Sequence, residues 1–290
     1  MPYLRRITRR PPFFFFFFLK RYREDRNEMQ RIDEGELMFY RLCRHKRYKT
    51  LLDIDCRNIN KSNVDMWESP LYSLKDHRGK PVVIDVTSSA QPGLPHNDAI
   101  NGFVELLQEK EAKRIVDFGA GSLRHTFPLL EKGFQVCAVE FEEQYKRPAC
   151  RQARQDAQDH PNFSSLIWPG GFKKDNRRFD AALLCYVLQT MPVPKERKSV
   201  LRLLKKKLRD DAYLLWMSRY NQIDDASRSN RVSDGIYRWK EREHQTFYRE
   251  FTTEETHEMF EDEGFKHIRS LGIRGTEQIF AYAKGNATWI

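Results

Sequence analysis

Cysteine is scarce in this chain: Cys43, Cys56, Cys137, Cys150 and Cys185 are the only five among 290 residues. Their number is odd and no two form a C-x-x-C pair. Neither a disulfide framework nor a zinc knuckle is expected, and a reducing, cytoplasmic setting is. Long hydrophobic runs are also missing, since no apolar stretch approaches the ~20 residues that span a bilayer. With 32% charged residues and a mean hydropathy of −0.74, the chain reads as soluble, without a transmembrane segment. Acid is in short supply, 41 residues against 51 Lys and Arg, for a net charge of +10. The imbalance is uneven: residues 1–97 hold 19 basic against 12 acidic side chains, and the remainder 32 against 29. A basic N-terminal third suits contact with nucleic acid or another anionic partner, or else is simply a solvated tail.

What is present is concentrated between Arg114 and Glu140, R-I-V-D-F-G-A-G-S-L-R-H-T-F-P-L-L-E-K-G-F-Q-V-C-A-V-E. Ile115, Val116 and Phe118 form a short apolar run, as expected of a strand buried on both faces. Gly119-Ala120-Gly121 turns the chain closely enough for a ligand to approach the backbone. Residues 123–132 then read as a crossover helix and 135–139 as a second strand with Glu140 at its carboxyl end. An acid about 20 residues beyond a glycine turn is placed to accept hydrogen bonds from ribose hydroxyls, the arrangement of a mononucleotide-binding βαβ unit.

D-F-G-A-G-S followed by V-C-A-V-E resembles motifs I and II of the class I S-adenosylmethionine-dependent methyltransferases. The resemblance covers residues 98–284. It implies an α/β, Rossmann-like fold, a seven-stranded mostly parallel sheet with helices on both faces, here with an N-terminal extension. It also implies S-adenosyl-L-methionine as cofactor, with Asp117, Gly119, Ala120 and Gly121 along its methionine and sulfonium part. Glu140 would hold the ribose, and Phe141, Trp168 and Cys185 complete the expected cofactor-binding set. A nicotinamide or flavin fingerprint needs a third glycine where Arg124 stands, so an oxidoreductase fits less well.

The rest of the chain is read against that frame. Residues 1–26 form a basic arm around Phe13–Phe18, with three readings open: an aromatic plug, a peripheral membrane contact or an unstructured segment. Cationic residues follow the phenylalanines and no small-residue cleavage site appears, against a secretion signal. Residues 27–96 form an N-terminal extension, a candidate substrate or partner region, and 97–290 the catalytic domain. Residues 98–110 and 144–158 are expected to be helices, with Pro148 in the first turn of the second or kinking it. Strands are expected at 163–168, 179–185 and 213–217, a basic helix at 194–209, and a final helix and antiparallel strand pair after Thr252.

The stretch F-D-A-A-L-L-C-Y-V-L-Q-T-M-P at 179–192 resembles that of methyltransferases acting on small molecules, quinones and some RNAs. It lacks the Asn/Asp-Pro-Pro-aromatic tetrapeptide of base-amino methyltransferases and the Pro-Cys nucleophile of cytosine C5 chemistry. A small-molecule or metabolite acceptor is therefore expected, methylated by in-line displacement. The alternatives are an RNA or other nucleic-acid methyltransferase using the basic N-terminal region, or a non-catalytic scaffold. Tyr186 after the fourth strand, and Tyr220, Tyr237 and Trp239 in the aromatic-rich insertion 219–248, are the candidate substrate-binding residues. No catalytic residue is singled out, because positioning can supply most of the rate of methyl transfer; Tyr186, Tyr220, His125 and His244 could shape the site or act as a base. No metal site is expected.

Overall fold

The computed structural model describes residues 68–89, 99–220, 223, 230–239, 245–274 and 277–285. The expectations for the arm, the phenylalanine run, the stretch 27–67 and His244 lie outside the described residues. The described residues all belong to one compact unit, Asp65–Ile290.

The main sheet has seven strands in the order β11-β12-β7-β6-β3-β4-β5. Its parallel centre consists of β3 (Arg114–Phe118), β4 (Gln135–Phe141), β5 (Phe163–Trp168), β6 (Phe179–Cys185) and β7 (Leu208–Arg219). The chain closes on β11 (Phe265–Arg274) and β12 (Glu277–Lys284), with β12 antiparallel to both of its neighbours. This is the mixed α/β sheet that the motifs imply.

Side-chain alternation along these strands separates two cores. On one face Val116, Val139, Leu184, Leu214 and Trp216 pack with Phe172 of helix α5 (Gly170–Lys174), Val200, Leu201 and Leu204 of α6 (Pro194–Lys207) and Phe260 of α7 (Thr253–Asp262). On the other, Ile115, Ala138, Leu183 and Leu215 meet Ile100, Phe103 and Leu107 of α1 (Ala99–Glu109) and Leu129 of α2 (Thr126–Glu131). Cover on both faces explains why the central strands read as continuous apolar runs instead of alternating ones.

Three elements differ from the sequence reading. α2 starts later than residue 123 because Gly121 (φ +54) and Leu123 (φ +61) carry the chain through a left-handed turn before helical geometry can begin. The helix expected over 144–158 is two, α3 (Glu142–Tyr145) and α4 (Pro148–Gln158). Pro148 is the first residue of α4, and Arg147 before it is extended (φ −69, ψ 139), as the residue preceding a proline prefers. Third, the 219–248 insertion carries strands β8 (Arg231–Val232), β9 (Gly235–Trp239) and β10 (Gln245–Tyr248).

β10 pairs antiparallel with β9 and parallel with β2 (Pro81–Asp85), which forms a hairpin with β1 (Leu71–Lys75). The result is a second sheet, β1-β2-β10-β9-β8. Tyr72, Val82, Ile84, Val232, Tyr237 and Phe247 form its own small core. The Tyr237 hydroxyl donates to Asp76 Oδ2 (3.1 Å), joining β9 to the β1–β2 turn, where Asp76 Oδ1 accepts from the Arg78 and Lys80 amides. Arg197 of α6, 1% exposed, donates to Met191 O and pairs with Asp234 in the β8–β9 turn. Arg249 links the same aspartate to Glu255 of α7. No helix among the described residues is long and apolar enough to cross a membrane.

Candidate functional site

A cavity of about 330 Å³ opens at the carboxyl ends of β3, β4 and β6, where open α/β sheets bind their ligands. Its floor is the turn after β3. Gly119 (φ +76) and Ala120 donate their amides to Val139 O at 2.9 and 3.2 Å, clamping the turn to the end of β4. A Cβ on Gly119 would stand 2.4 Å from Val187 Cγ2, so only glycine fits there.

Glu140, at the end of β4, accepts from the Gly121 amide at Oε2 (3.0 Å) and from the Phe141 amide at Oε1 (2.8 Å). Each oxygen keeps a lone pair for a further donor. Burial pushes its carboxyl up to about 7, against the two amides and Arg147, which favour the charge; neighbouring Asp117 adds to the rise. Asp117, 2% exposed, accepts from Thr126 Oγ1 at 2.7 Å. Burial pushes it up to about 6, with Thr126 and Arg124 opposing. Two buried acids that resist ionisation line this end of the cavity, an arrangement suited to a cationic, hydroxyl-bearing ligand.

All eight residues expected at the cofactor, Asp117, Gly119, Ala120, Gly121, Glu140, Phe141, Trp168 and Cys185, line this cavity. Trp168 meets Phe118 edge to face at 5.3 Å, which fixes its ring plane. Burial raises the Cys185 thiol, so it stays protonated. Gln144 also lines the cavity; its amide nitrogen contacts Cys150 Sγ, while Oε1 is buried with no hydrogen-bond partner among the described residues.

Of the expected substrate residues, Tyr186 lines the cavity. Its φ of +62 is strained for an aromatic residue. Its backbone N–H donates to Met217 O (2.8 Å) and its hydroxyl donates to Glu277 Oε1 (2.6 Å), which hold it there. His125 stacks on its ring at 6.3 Å, and the Arg124 and Arg219 guanidiniums lie 4.8 and 5.9 Å from the ring centroid. Tyr237 does not line the cavity and is instead buried in the core of the second sheet with Val82, Ile84 and Val232. Tyr220 is half-buried and does not line the cavity, and the Trp239 side chain lies outside the described residues.

The second sheet supplies lining residues that sequence reasoning passed over. Arg238, Thr246 and Tyr248 share one face, since Thr246 pairs with Arg238 across the β9–β10 ladder and Tyr248 lies two residues on. The signal was period-two alternation in Q-T-F-Y, but its partner strand could not be read from so short a run. Tyr72 and Thr87 enter from the β1–β2 hairpin and the turn after it, the latter held by Arg147 Nη2, which donates to Thr87 Oγ1 (2.6 Å).

A methyltransferase domain profile matches residues 97–270. The chain belongs to the methyltransferase family. It is a class I enzyme, and the family uses S-adenosylmethionine as methyl donor. No curated protein matches the chain. Among solved structures, the CcbJ methyltransferase from Streptomyces caelestis is similar with a TM-score of 0.50 and 16% identity, over 69% of this chain and 95% of that one. The 1,6-didemethyltoxoflavin-N1-methyltransferase of Burkholderia thailandensis, solved with S-adenosylhomocysteine, gives 0.48 and 21%, over 70% and 82%. The magnesium protoporphyrin IX methyltransferase of Synechocystis gives 0.46 and 14%, over 64% and 82%. At these identities the likeness is one of fold. The cavity of this methyltransferase fits the donor: a glycine turn with no room for a Cβ, a carboxylate with spare lone pairs at the end of β4, and an unsatisfied amide oxygen on Gln144.

Proposed function

We propose that this methyltransferase acts on a small molecule, which enters between the end of β6 and the second sheet. The observation that supports this reading is the wall formed by one face of the second sheet: Arg238, Thr246 and Tyr248 line the same cavity as the glycine turn. A cavity of this size and aromatic lining belongs to the small-molecule class of sites, typically about 300–1,000 Å³. In the same reading Glu140 accepts from the ribose hydroxyls, Phe141 and Trp168 flank the adenine, and Asp117 accepts from the methionine ammonium. Arg124, whose charge bears on Asp117, faces the methionine carboxylate.

When bound, the donor supplies a methyl group made electrophilic by an adjacent sulfonium. The protein's own contribution is to exclude water and hold the acceptor in line, which can supply most of the acceleration. Tyr186 serves as a wall more than a base, since its hydroxyl is engaged with Glu277.

Calorimetry with S-adenosylmethionine tests the reading. The intact chain is expected to bind it at micromolar concentration and an Asp117→Ala/Glu140→Ala variant of unchanged circular dichroism to lose that binding. A folded wild-type chain that takes up no cofactor would sink the proposal and leave a scaffold on a methyltransferase fold. Transfer of labelled methyl to a fraction of small metabolites, and not to RNA, is the expected second result.

A further inference from the structure

The short 3-10 helix Leu188–Thr190 follows β6, and Gln189 within it is pinned where the two sheets meet. Its Oε1 accepts from Ser218 Oγ (2.8 Å) and from the Arg219 amide (2.7 Å) at the end of β7. Its backbone carbonyl accepts from the Arg249 amide (2.9 Å), just beyond β10. A backbone N–H can only donate, so the Arg219 amide fixes which end of the carboxamide is oxygen. The other end is Nε2, which can only donate. Gln189 is 5% exposed and lines the cavity, yet Nε2 has no hydrogen-bond partner among the described residues. Gln144 Oε1 and the Tyr248 hydroxyl are sealed from solvent, whereas Gln189 Nε2 keeps accessible surface. A carboxamide pinned at its oxygen thus offers its N–H groups to the cavity.

A second observation comes from β10. Thr246, 6% exposed, lines the same cavity from the second sheet, and its hydroxyl also has no hydrogen-bond partner among the described residues while keeping accessible surface. Two other hydroxyls of the lining are engaged within the protein: Thr190 Oγ1 donates to Val187 O (2.8 Å) and Thr87 Oγ1 to Asp85 Oδ1 (2.6 Å). Gln189 and Thr246 carry no charge, and both can donate. An occupant that expels water from the cavity without replacing those hydrogen bonds leaves buried donors unmatched, which is costly. An uncharged oxygen with two lone pairs, a carbonyl, matches them.

Resting on the reading of a small-molecule methyltransferase, we propose that Gln189 reads the methyl acceptor: Nε2 donates to a carbonyl oxygen of a neutral small molecule, and Thr246 Oγ1 makes a second polar contact from the facing sheet. Because Ser218 and the Arg219 amide already hold the carboxamide in place, little freedom is lost when the carbonyl binds. The site therefore selects carbonyl compounds over analogues that carry a methylene in its place.

The test titrates matched neutral probes into the S-adenosylhomocysteine complex and follows thermal stabilisation. The pairs are 4-chromanone with chroman, 1-indanone with indane, and acetanilide with N-ethylaniline. The carbonyl member of at least one pair is expected to bind about tenfold more tightly than its methylene partner. Gln189→Glu keeps an oxygen for Ser218 and the Arg219 amide but puts an acceptor where the donor was. In that variant the preference is expected to vanish or reverse, with S-adenosylhomocysteine affinity by calorimetry unchanged. A glutamine that only braces β7 would leave the preference intact. If Gln189→Glu does not fold, Thr246→Val decides: a loss of about threefold or more in binding of the preferred carbonyl probe upholds the inference, and no loss overturns it. Equal or tighter binding of every methylene partner, no binding of any carbonyl probe to a complex that holds S-adenosylhomocysteine, or a preference that survives Gln189→Glu also overturns it. Failure to bind S-adenosylhomocysteine at all overturns the functional reading beneath it.

Discussion

Glu140 and Asp117 carry the pH behaviour of the site. Both are pushed above the ordinary carboxylate range by burial, Glu140 to about 7 and Asp117 to about 6. The folded, cofactor-free protein therefore holds protons that the unfolded chain releases near pH 4. The stability these groups contribute is complete below that pH and is lost as pH rises through about 6 to 7. Cofactor binding runs the other way, because a cation and ribose hydroxyls favour the ionised acids. Calorimetry is expected to show affinity rising by close to tenfold per unit between pH 6 and 7 and levelling above it. Proton release on binding, read from buffers of different ionisation enthalpy, is expected to be about one proton in that window, to be larger just below pH 6 where both acids are protonated, and to vanish well above pH 7. Gly119 gives a sharper residue-level test. Gly119→Ala sets a Cβ 2.4 Å from Val187 Cγ2 at φ +76, so stability should fall by about 1–3 kcal/mol. Adding Val187→Ala should recover part of that loss in thermal melts, the backbone strain remaining. These residues were legible in the sequence because the turn, the strand and the terminal acid are contiguous, and each reads the next.

At the scale of the element, legibility depended on the same locality. The buried parallel strands read as apolar runs, and Pro148 marked the start of α4 even though the preceding turn split the helix in two. β8, β9 and β10 did not read as strands, since the longest has five residues and their hydrogen-bond partners lie elsewhere in the chain. Tyr237 drew notice for being aromatic, yet the pairing in β9 turns it into the small core. Gly235 shows how tight that hairpin is: a Cβ there would lie 2.5 Å from the Phe247 ring and 2.6 Å from Tyr248 O. Gly235→Ala is expected to speed hydrogen exchange across 231–248 and to weaken acceptor turnover more than cofactor affinity. Arg197→Ala strips a buried guanidinium from Asp234 and Met191 O. Loss of such a partner costs about 3–5 kcal/mol, and a lowered denaturation midpoint in urea would register it.

Over the whole molecule, two cores on the faces of one seven-stranded sheet hold the cofactor half of the cavity. S-adenosylhomocysteine at about 100 times its Kd should stabilise the protein by about 2.7 kcal/mol, a rise of roughly 5 to 10 °C in Tm for a unit of this size; a scan without that rise would mean that the cofactor does not bind the folded state preferentially. The fold class was readable because it follows from the order of periods along the chain. The second sheet was not, because it is assembled by pairing β2 with β10.

That pairing, Ile84 with Gln245, has a consequence for the order of assembly. A two-stranded hairpin alone is marginally stable, so the β1–β2 ribbon waits for its neighbour until nearly the whole domain has left the ribosome. By then β3, β4 and the glycine turn between them are already present. The glycine turn and the strands that flank it thus emerge before the residues that close the second sheet. Residues 71–85 and 231–248, which build the second sheet, are separated in the chain by the whole of the glycine turn and its flanking strands.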